Sequence, residues 1–299
     1  MLDMSLSERY TGSSDEKSAL RHAVISACSE HFEVGLGDDH LAERLCDKSE
    51  NVYWQALSEV MIALQIRRNG ITPVHSRSGP DFLIEFKGQR VWIEVICPEP
   101  NGIPSDWTVF ESGRVNPVPH EAILLRWTSA IKEKSEKLIG SRSNLAGGYL
   151  KKGIVQESDA YVIAVNGRLL RSSFPSLVGV SQFPFAVEAV LPVGPLEIKI
   201  DRETMEPTRF GNQFRNRVPK ANGAEVPTDV FLDPWFAPVS AIWATDMDES
   251  MILGRQIPMS VVHNPLAKNP LFQGLLPAQD EYVAKIEGEF FRIETLRGS

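Results

Sequence analysis

The sequence predicts an α/β fold, and three observations on the 299-residue chain support this prediction. Long helical segments and short apolar strands alternate between residues 50 and 166. A continuous apolar run at 160–165 is typical of a strand that is buried on both faces. The contents of apolar residues, 42%, and of charged residues, 23%, are those of an ordinary globular protein. We expect an acidic N-terminal helical layer at 1–49, an α/β core at 50–166 and a β-rich C-terminal extension at 167–299.

The N-terminal layer is predicted to contain two helices, at 16–34 and 38–47. Residues 1–50 carry 5 basic and 11 acidic side chains, so the layer is acidic. The whole chain has a net charge of −8, which argues against a protein that coats nucleic acid without specificity, since phosphate binding depends on lysine and arginine.

The core is predicted to begin with a long helix at 51–69, with Ser49 as its N-cap and Gly70 at its end. Apolar residues surround this helix, which indicates that it is buried. A proline-rich loop should follow the first strands and lead into a second long helix. The remaining predicted elements of the core are strands at 71–75, 81–86 and 91–97, the helix at 121–140 and the strand at 160–165.

The C-terminal extension contains short apolar runs separated by connections rich in proline, glycine and asparagine, which favours strands. Residues 207–227 are predicted to be the least structured stretch, either a solvated surface loop or a mobile basic loop. The apolar runs lie at 183–193, 195–200, 239–244, 258–263 and 289–296.

Two carboxylates lie on neighbouring strands of the predicted core. Asp81 follows Gly79-Pro80 and opens one strand, Glu94 lies inside the next, and twelve residues separate them across a tight turn at 87–90. Two such carboxylates can share a divalent cation, because hard cations prefer oxygen ligands. Glu94 lies in a strand with apolar residues on both faces, where a carboxylate is costly unless it is paired or bound to metal. A structural ion pair with an arginine is the alternative.

This motif and the order of elements around it resemble the PD-(D/E)XK nuclease superfamily. The resemblance covers about residues 50–166 and implies a restriction-endonuclease-like αβββαβ core. It also implies hydrolysis of phosphodiester bonds with Mg²⁺ or Mn²⁺, for which Asp81 and Glu94 would be catalytic metal ligands. The family has Glu-x-Lys in its second strand, and here Ile96 occupies the lysine position.

Two further residues are candidates because of the same resemblance. Many members hold a metal-binding glutamate on the first core helix, and Glu59 matches that location; pairing with an arginine on another element is the alternative. Some members move the lysine to the following helix. There Lys134 lies at the edge of the apolar stripe, whereas Lys132 and Lys137 point away from it. Lys134 is either the relocated catalytic lysine or a stem that reaches solvent.

Residues 114–152 are basic, with 8 lysines and arginines against 3 glutamates. This segment predicts either a surface that faces phosphate or a solvated helix face. Within it, Arg126, Lys137 and His120 are the candidate substrate-binding residues, and His120 stands beside a helix N-terminus, where anions can bind.

We therefore expect a metal-dependent nuclease that acts on nucleic acid, most readily a DNA endonuclease. The alternatives are an inactive protein of the same fold that binds nucleic acid or another protein, and a hydrolase or binding protein unrelated to nucleic acid. A homodimer is left open. No apolar run approaches the roughly 20 residues of a membrane span. The N-terminus shows no secretory signal and the three cysteines are scattered, so a cytoplasmic protein without a membrane partner is expected.

Overall fold

The computed structural model describes residues 2–109, 117–171, 177–287 and 290–297 and shows a mixed α/β protein. The helices in these ranges are α1 (Leu2–Arg9), α2 (Asp15–Glu33), α3 (Asp39–Leu45), α4 (Glu50–Arg68), α5 (Ser105–Thr108), α6 (His120–Ile139) and α7 (Phe185–Val190). The strands are β1 (Val74–His75), β2 (Phe82–Phe86), β3 (Gln89–Ile96), β4 (Ala160–Asn166), β5 (Val193–Ile200), β6 (Pro207–Phe214), β7 (Arg217–Pro219), β8 (Glu225–Pro227), β9 (Ala241–Thr245), β10 (Met259–His263), β11 (Asp280–Glu287) and β12 (Phe290–Arg297).

Eight of these strands form one mixed sheet in the order β1-β2-β3-β4-β9-β10-β11-β12. The pairs β3–β4, β4–β9 and β10–β11 are parallel, and the other pairs in this sheet are antiparallel. The sheet therefore runs without interruption from the predicted core into the predicted C-terminal extension. Strands β5 and β6 form a separate two-stranded ribbon, and β7 and β8 form another.

Helices cover both faces of the large sheet. One apolar core lies between the sheet and the N-terminal helices, and α4 supplies most of its helical residues. The second core lies on the opposite face, under α6 and α7. Strand β4 lies at the centre, and all seven of its residues are buried, as a strand enclosed between two helical layers requires.

The hairpin between β2 and β3 sets the position of the two carboxylates. Lys87 and Gly88 have φ angles of 50° and 80°, and Phe86 pairs with Gln89 across the turn. A two-residue turn with positive φ at both positions matches the twist of the flanking strands. The turn is thus shorter than the predicted one at 87–90, because Gln89 and Arg90 already belong to β3.

The predicted helices and strands of the N-terminal layer and core are present with small shifts of their ends. Helix α4 has Ser49 at its N-cap and ends before Gly70, whose φ of 76° interrupts the helical path. The first predicted strand is reduced to Val74–His75. The sequence missed α1 at the N-terminus and α5 in the proline-rich loop.

Two expectations for the C-terminal segment were wrong. The run at 183–193 forms a helix over Phe185–Val190, and Pro184 occupies its N-cap. Residues 207–227 contain β6, β7 and β8, so the stretch expected to be least structured forms two ribbons. Ribbon pairing is a tertiary contact that the low apolar content of this stretch does not reveal. No helix in the part of the chain that the structure describes is long and apolar enough to cross a membrane.

Candidate active-site cleft

The alternation of β3 directs Glu94 toward α6. Val91, Ile93 and Val95 belong to the core on the α4 side of the sheet, whereas Trp92 and Ile96 belong to the core under α6. Since successive side chains of a strand point to opposite faces, Glu94 shares the face of the second group. Its carboxylate is 97% buried, with only 3% of the side chain exposed, and it therefore needs partners from α6.

Two lysines of α6 supply these partners. The Nζ atoms of Lys134 and Lys137 each lie 2.9 Å from Glu94 Oε1. The Lys134 side chain is 7% exposed and that of Lys137 45% exposed. Desolvation opposes the charge of Lys137, but the Glu94 carboxylate outweighs it and raises the lysine pKa above its ordinary value.

The position of Lys134 on the inner side of α6 follows the sequence prediction, whereas the prediction that Lys137 points away was wrong. Residues three apart on a helix are neighbours, and the long flexible stem of Lys137 bends back to the same oxygen. Tyr161 of β4 adds a contact that the sequence did not indicate. Its hydroxyl donates to the Lys134 carbonyl at 3.2 Å and fastens α6 to the sheet at this point.

Ile96 occupies the position two residues after Glu94, on the same face of β3. It is 7% exposed and packs in the core under α6. A lysine at this position would point to the face on which the Lys134 ammonium now lies. Helix α6 thus brings a cation to the face of β3 on which Ile96 and Glu94 lie.

Asp81 stands where β2 begins, directly beyond the pair formed by Phe82 and Ile93. Its Oδ2 accepts a hydrogen bond from the Val95 amide at 2.6 Å, and the residue is half-buried. Burial raises the pKa of Asp81 well above its ordinary value, and the nearby Glu59 and Glu94 carboxylates add to this effect. Three carboxylates therefore converge in a place where repulsion between them is only partly offset.

Glu59 faces this group from α4, but an arginine holds it. Arg44 donates to both of its carboxylate oxygens, at 2.8 and 2.9 Å. The ion pair that the sequence left open as an alternative is therefore present. A role for Glu59 in metal binding stays a prediction.

Gln55 joins Glu59 to β3, and sequence reasoning missed it. Its amide nitrogen lies 3.1 Å from Glu59 Oε1 and 3.3 Å from the Val95 carbonyl, and its amide oxygen accepts from the Cys97 amide at 2.8 Å. Gln55 is four residues before Glu59 on α4, and this spacing is the signal from which the contact could have been inferred.

These side chains line an open cleft of about 600 Å³ between α4, α6 and the end of β3. Arg126 lies in the same cleft, and its Nε donates to the Glu99 carbonyl at 2.7 Å. Arg126, Lys137 and Arg44 are basic side chains at the edge of the cleft, and Glu99 and Glu133 line it as well, so the rim carries both signs of charge. That residues 114–152 form a surface facing phosphate stays a prediction.

His120 is the one predicted substrate-binding residue that the structure does not bring to the cleft. It begins α6, 14 residues before Lys134, which corresponds to about 21 Å along the helix axis. Its Nε2 lies 2.6 Å from Glu188 Oε2 and its ring stacks on Phe185. The N-terminus of α6 therefore faces α7 rather than the carboxylates.

The donor set of the cleft suits a hard cation with few protein ligands. Among the residues that the structure describes, no three His, Cys, Asp or Glu side chains are grouped to hold a metal ion. Asp81 Oδ1 and Glu94 Oε2 accept no hydrogen bond from any described residue. Asp81 and Glu94 line the same cleft, and carboxylate oxygens of this kind are the ligands that Mg²⁺ and Mn²⁺ prefer.

The cleft thus combines a cluster of carboxylates, a buried ammonium and a rim that holds both basic and acidic side chains. Its chemistry has to be inferred from these side chains, because no protein-family model matches the chain and no curated protein or solved structure does either.

Proposed function

We propose that the chain is a metal-dependent nuclease that hydrolyses phosphodiester bonds in nucleic acid, most readily DNA. The observation that carries this proposal is the place of the Lys134 ammonium. It lies 2.9 Å from Glu94 in a buried position, where a lysine stem that merely reached solvent would have placed its charge in water. Mg²⁺ or Mn²⁺ as the ion and the cytoplasm as the location belong to the same proposal.

The order of elements supports a restriction-endonuclease-like core. Helix α4 precedes the antiparallel β1, β2 and β3, and the chain then passes through α6 into β4, which is parallel to β3. Asp81 directly precedes β2, Glu94 lies on β3, and Lys134 lies on the helix that crosses over to β4. This order supports the αβββαβ core that the resemblance implies.

In the proposed site Asp81 and Glu94 are the metal ligands, and the Val95 carbonyl is a third oxygen. A bound divalent ion lowers the pKa of a coordinated water and offsets negative charge on the scissile phosphate. Burial is the main cause that raises the pKa of Asp81, the Glu59 and Glu94 carboxylates add to it, and a bound cation would favour the ionised form.

Lys134 takes the role of the missing motif lysine. An ammonium has three donors, and Glu94 engages one of them, so the others remain for the attacking water or a phosphate oxygen. Tyr161 and the packing of α6 hold the Lys134 backbone in place. Lys137 and Arg126 lie at the rim, where they would contact phosphates on either side of the cleaved bond.

The test is cleavage of supercoiled plasmid, single-stranded DNA and RNA with and without Mg²⁺ or Mn²⁺. We expect cleavage that stops when the ion is chelated. Asp81→Asn and Glu94→Gln should each lower the rate by at least about 100-fold, a loss typical of groups that stabilise charge in the transition state. Glu121→Gln, an exposed carboxylate on α6 outside the cleft, is the matched control and should keep full activity. Activity that persists in both cleft variants would contradict the assignment.

Ion binding provides a readout that does not depend on activity. Mg²⁺ should raise the melting temperature of the wild-type chain, because a ligand that binds only the folded state stabilises it. The Asp81→Asn variant should show a much smaller rise. If neither Mg²⁺ nor Mn²⁺ changes the melting temperature of the wild-type chain, the metal is not part of the site.

The second candidate function is an inactive protein of the same fold that binds nucleic acid or another protein. It is favoured by the Arg44–Glu59 pair, because Arg44 donates to both carboxylate oxygens and competes with a metal for Glu59. Binding of DNA without cleavage, retained in Glu94→Gln, would support this candidate. A function unrelated to nucleic acid is the third candidate, and the basic segment 114–152, which supplies Arg126, Lys134 and Lys137 to the cleft, argues against it.

A further inference from the structure

The ribbon of β5 and β6, residues 193–214, has one strongly apolar face. Leu196, Ile198 and Ile200 alternate along β5 and therefore share a face, and Phe210 lies opposite Ile198. Phe214 is four residues further along β6 and pairs with the buried Val193, beyond a register shift of β5, and Asn212 lies between the two phenylalanines on the same face. The residues that alternate with them on β5 are Glu197 and Lys199, so the ribbon is amphipathic.

This apolar face is exposed. Ile198 is 55% exposed, Phe210 69% and Phe214 72%. Leu196, Ile200 and, at the ribbon turn, Met205 are also exposed. Taking about 200 Å² for a large side chain, these six residues expose on the order of 700 Å², more than the largest apolar patch of a typical monomer.

The ribbon also has little support of its own. A two-stranded ribbon is marginally stable in water unless its apolar face is covered. Its base is fixed by Asn212, whose side-chain amide donates to the Gly194 and Ser181 carbonyls at 3.0 and 3.1 Å. Beyond that base, the described residues leave the six apolar residues between 38% (Leu196) and 73% (Met205) exposed.

We infer that a second copy of this chain covers the apolar face, so that two ribbons pack face to face in a symmetric dimer. The exposed area is close to the roughly 800 Å² that each partner contributes to a stable interface. A face that packs on its own copy around a two-fold axis needs apolar character and no complementary charge. The charged residues of β5 then remain in water.

The charge of the ribbon disfavours the other occupants. Residues 193–214 contain three basic and four acidic residues, so the ribbon has no excess of positive charge for nucleic acid or an anionic membrane. The ribbon lies outside the proposed cleavage site, so the dimer proposal does not depend on the nuclease proposal.

Sedimentation velocity of the full-length chain over a range of micromolar concentrations tests the inference. We expect a dimer that Ile198→Glu and Phe210→Glu each convert to monomer, with a dissociation constant raised at least about 100-fold, because each variant would bury an unpaired carboxylate. Both positions are exposed in the single chain, so both variants should fold, with a wild-type circular dichroism spectrum. Lys199→Glu, one position along on the opposite face, is the matched control and should stay dimeric.

Three results would overturn the inference. The first is a wild-type chain that remains monomeric throughout the concentration range, and the second is an Ile198→Glu variant that remains fully dimeric. The third is a monomeric chain that floats with neutral phosphatidylcholine vesicles through Ile198 and Phe210, which would assign the ribbon to a lipid surface.

Discussion

Glu94 is a buried carboxylate that two lysines of one helix neutralise. Taking a charge out of water costs several kcal/mol, and attraction to its partners repays this only when the geometry is good. Both ammonium groups lie 2.9 Å from the same oxygen, Oε1, and the second oxygen has no protein donor among the described residues. The site therefore pairs one oxygen of Glu94 with two ammonium groups and leaves the other oxygen without a protein donor among the described residues.

The two lysines differ in burial, and this difference predicts different effects on catalysis. Lys134→Met should lower kcat by about 100- to 1000-fold with a small change in KM, since its ammonium is fixed in the site. Lys137→Met should act mainly on KM, because its ammonium is half exposed at the rim. The measurement is steady-state cleavage of an oligonucleotide.

A relocation experiment separates a catalytic role from a merely structural one. Ile96 and Glu94 share a face of β3, so adding Ile96→Lys to Lys134→Met should restore part of the lost kcat. Lys132→Met, exposed on the same helix, is the control and should have wild-type activity. Equal losses from Lys132→Met and Lys134→Met would contradict the role of Lys134.

At the scale of elements, α2 packs against β2 through a buried histidine. His31 is 3% exposed and packs edge-on against Phe82, with ring centroids 6.2 Å apart. Burial lowers the pKa of His31 from 6.5 to about 4, so the imidazole is neutral in the folded chain near neutral pH. Helix α2 thus packs on the sheet through the His31 imidazole, whose burial disfavours the charged form.

This docking predicts a loss of stability in acid. The unfolded chain binds a proton to His31 below pH 6.5 and the folded chain only near pH 4, so stability is full above 6.5 and falls as the pH drops through this window. The loss should be on the order of 3 kcal/mol. Urea unfolding across this range measures it, and His31→Gln should flatten the dependence.

His22, exposed on the same helix, provides the control. His22→Gln should keep the wild-type dependence of stability on pH. A His31→Gln variant whose unfolding free energy changes with pH as steeply as that of the wild type would show that other groups dominate the acid transition.

At the scale of the whole molecule, one sheet unites the core and the C-terminal segment. Strand β4 pairs with β3 on one side and with β9 on the other, and every residue of β4 is buried. Trp243 of β9 belongs to the same apolar core as α4. The C-terminal strands therefore complete the layer that carries the candidate site.

A truncated chain that ends at residue 166 should consequently fail to fold. It would lose β9 to β12, expose one edge of β4 and uncover both apolar cores. We expect no cooperative thermal transition by circular dichroism, whereas the full chain should melt cooperatively. A cooperative transition in the truncated chain would show that the core is an independent domain.

The sequence by itself determined the order of helices and strands in the core and the placement of Asp81 and Glu94 on neighbouring strands. These features follow from local signals, namely the 3.6-residue and two-residue apolar periods and the positions of proline and glycine. The same local signals predict that α4 is buried, and a buried Glu59 needs a partner for its charge.

Only the tertiary structure decided which partners the charged residues have. Arg44 pairs with Glu59, Lys137 joins Lys134 at Glu94, and His120 turns to Glu188. Lys134 and Glu94 are 40 residues apart in the chain, and their contact depends on the crossover that lays α6 on one face of β3. Periodicity fixes the face on which a side chain lies, but the path of the chain fixes what that face meets.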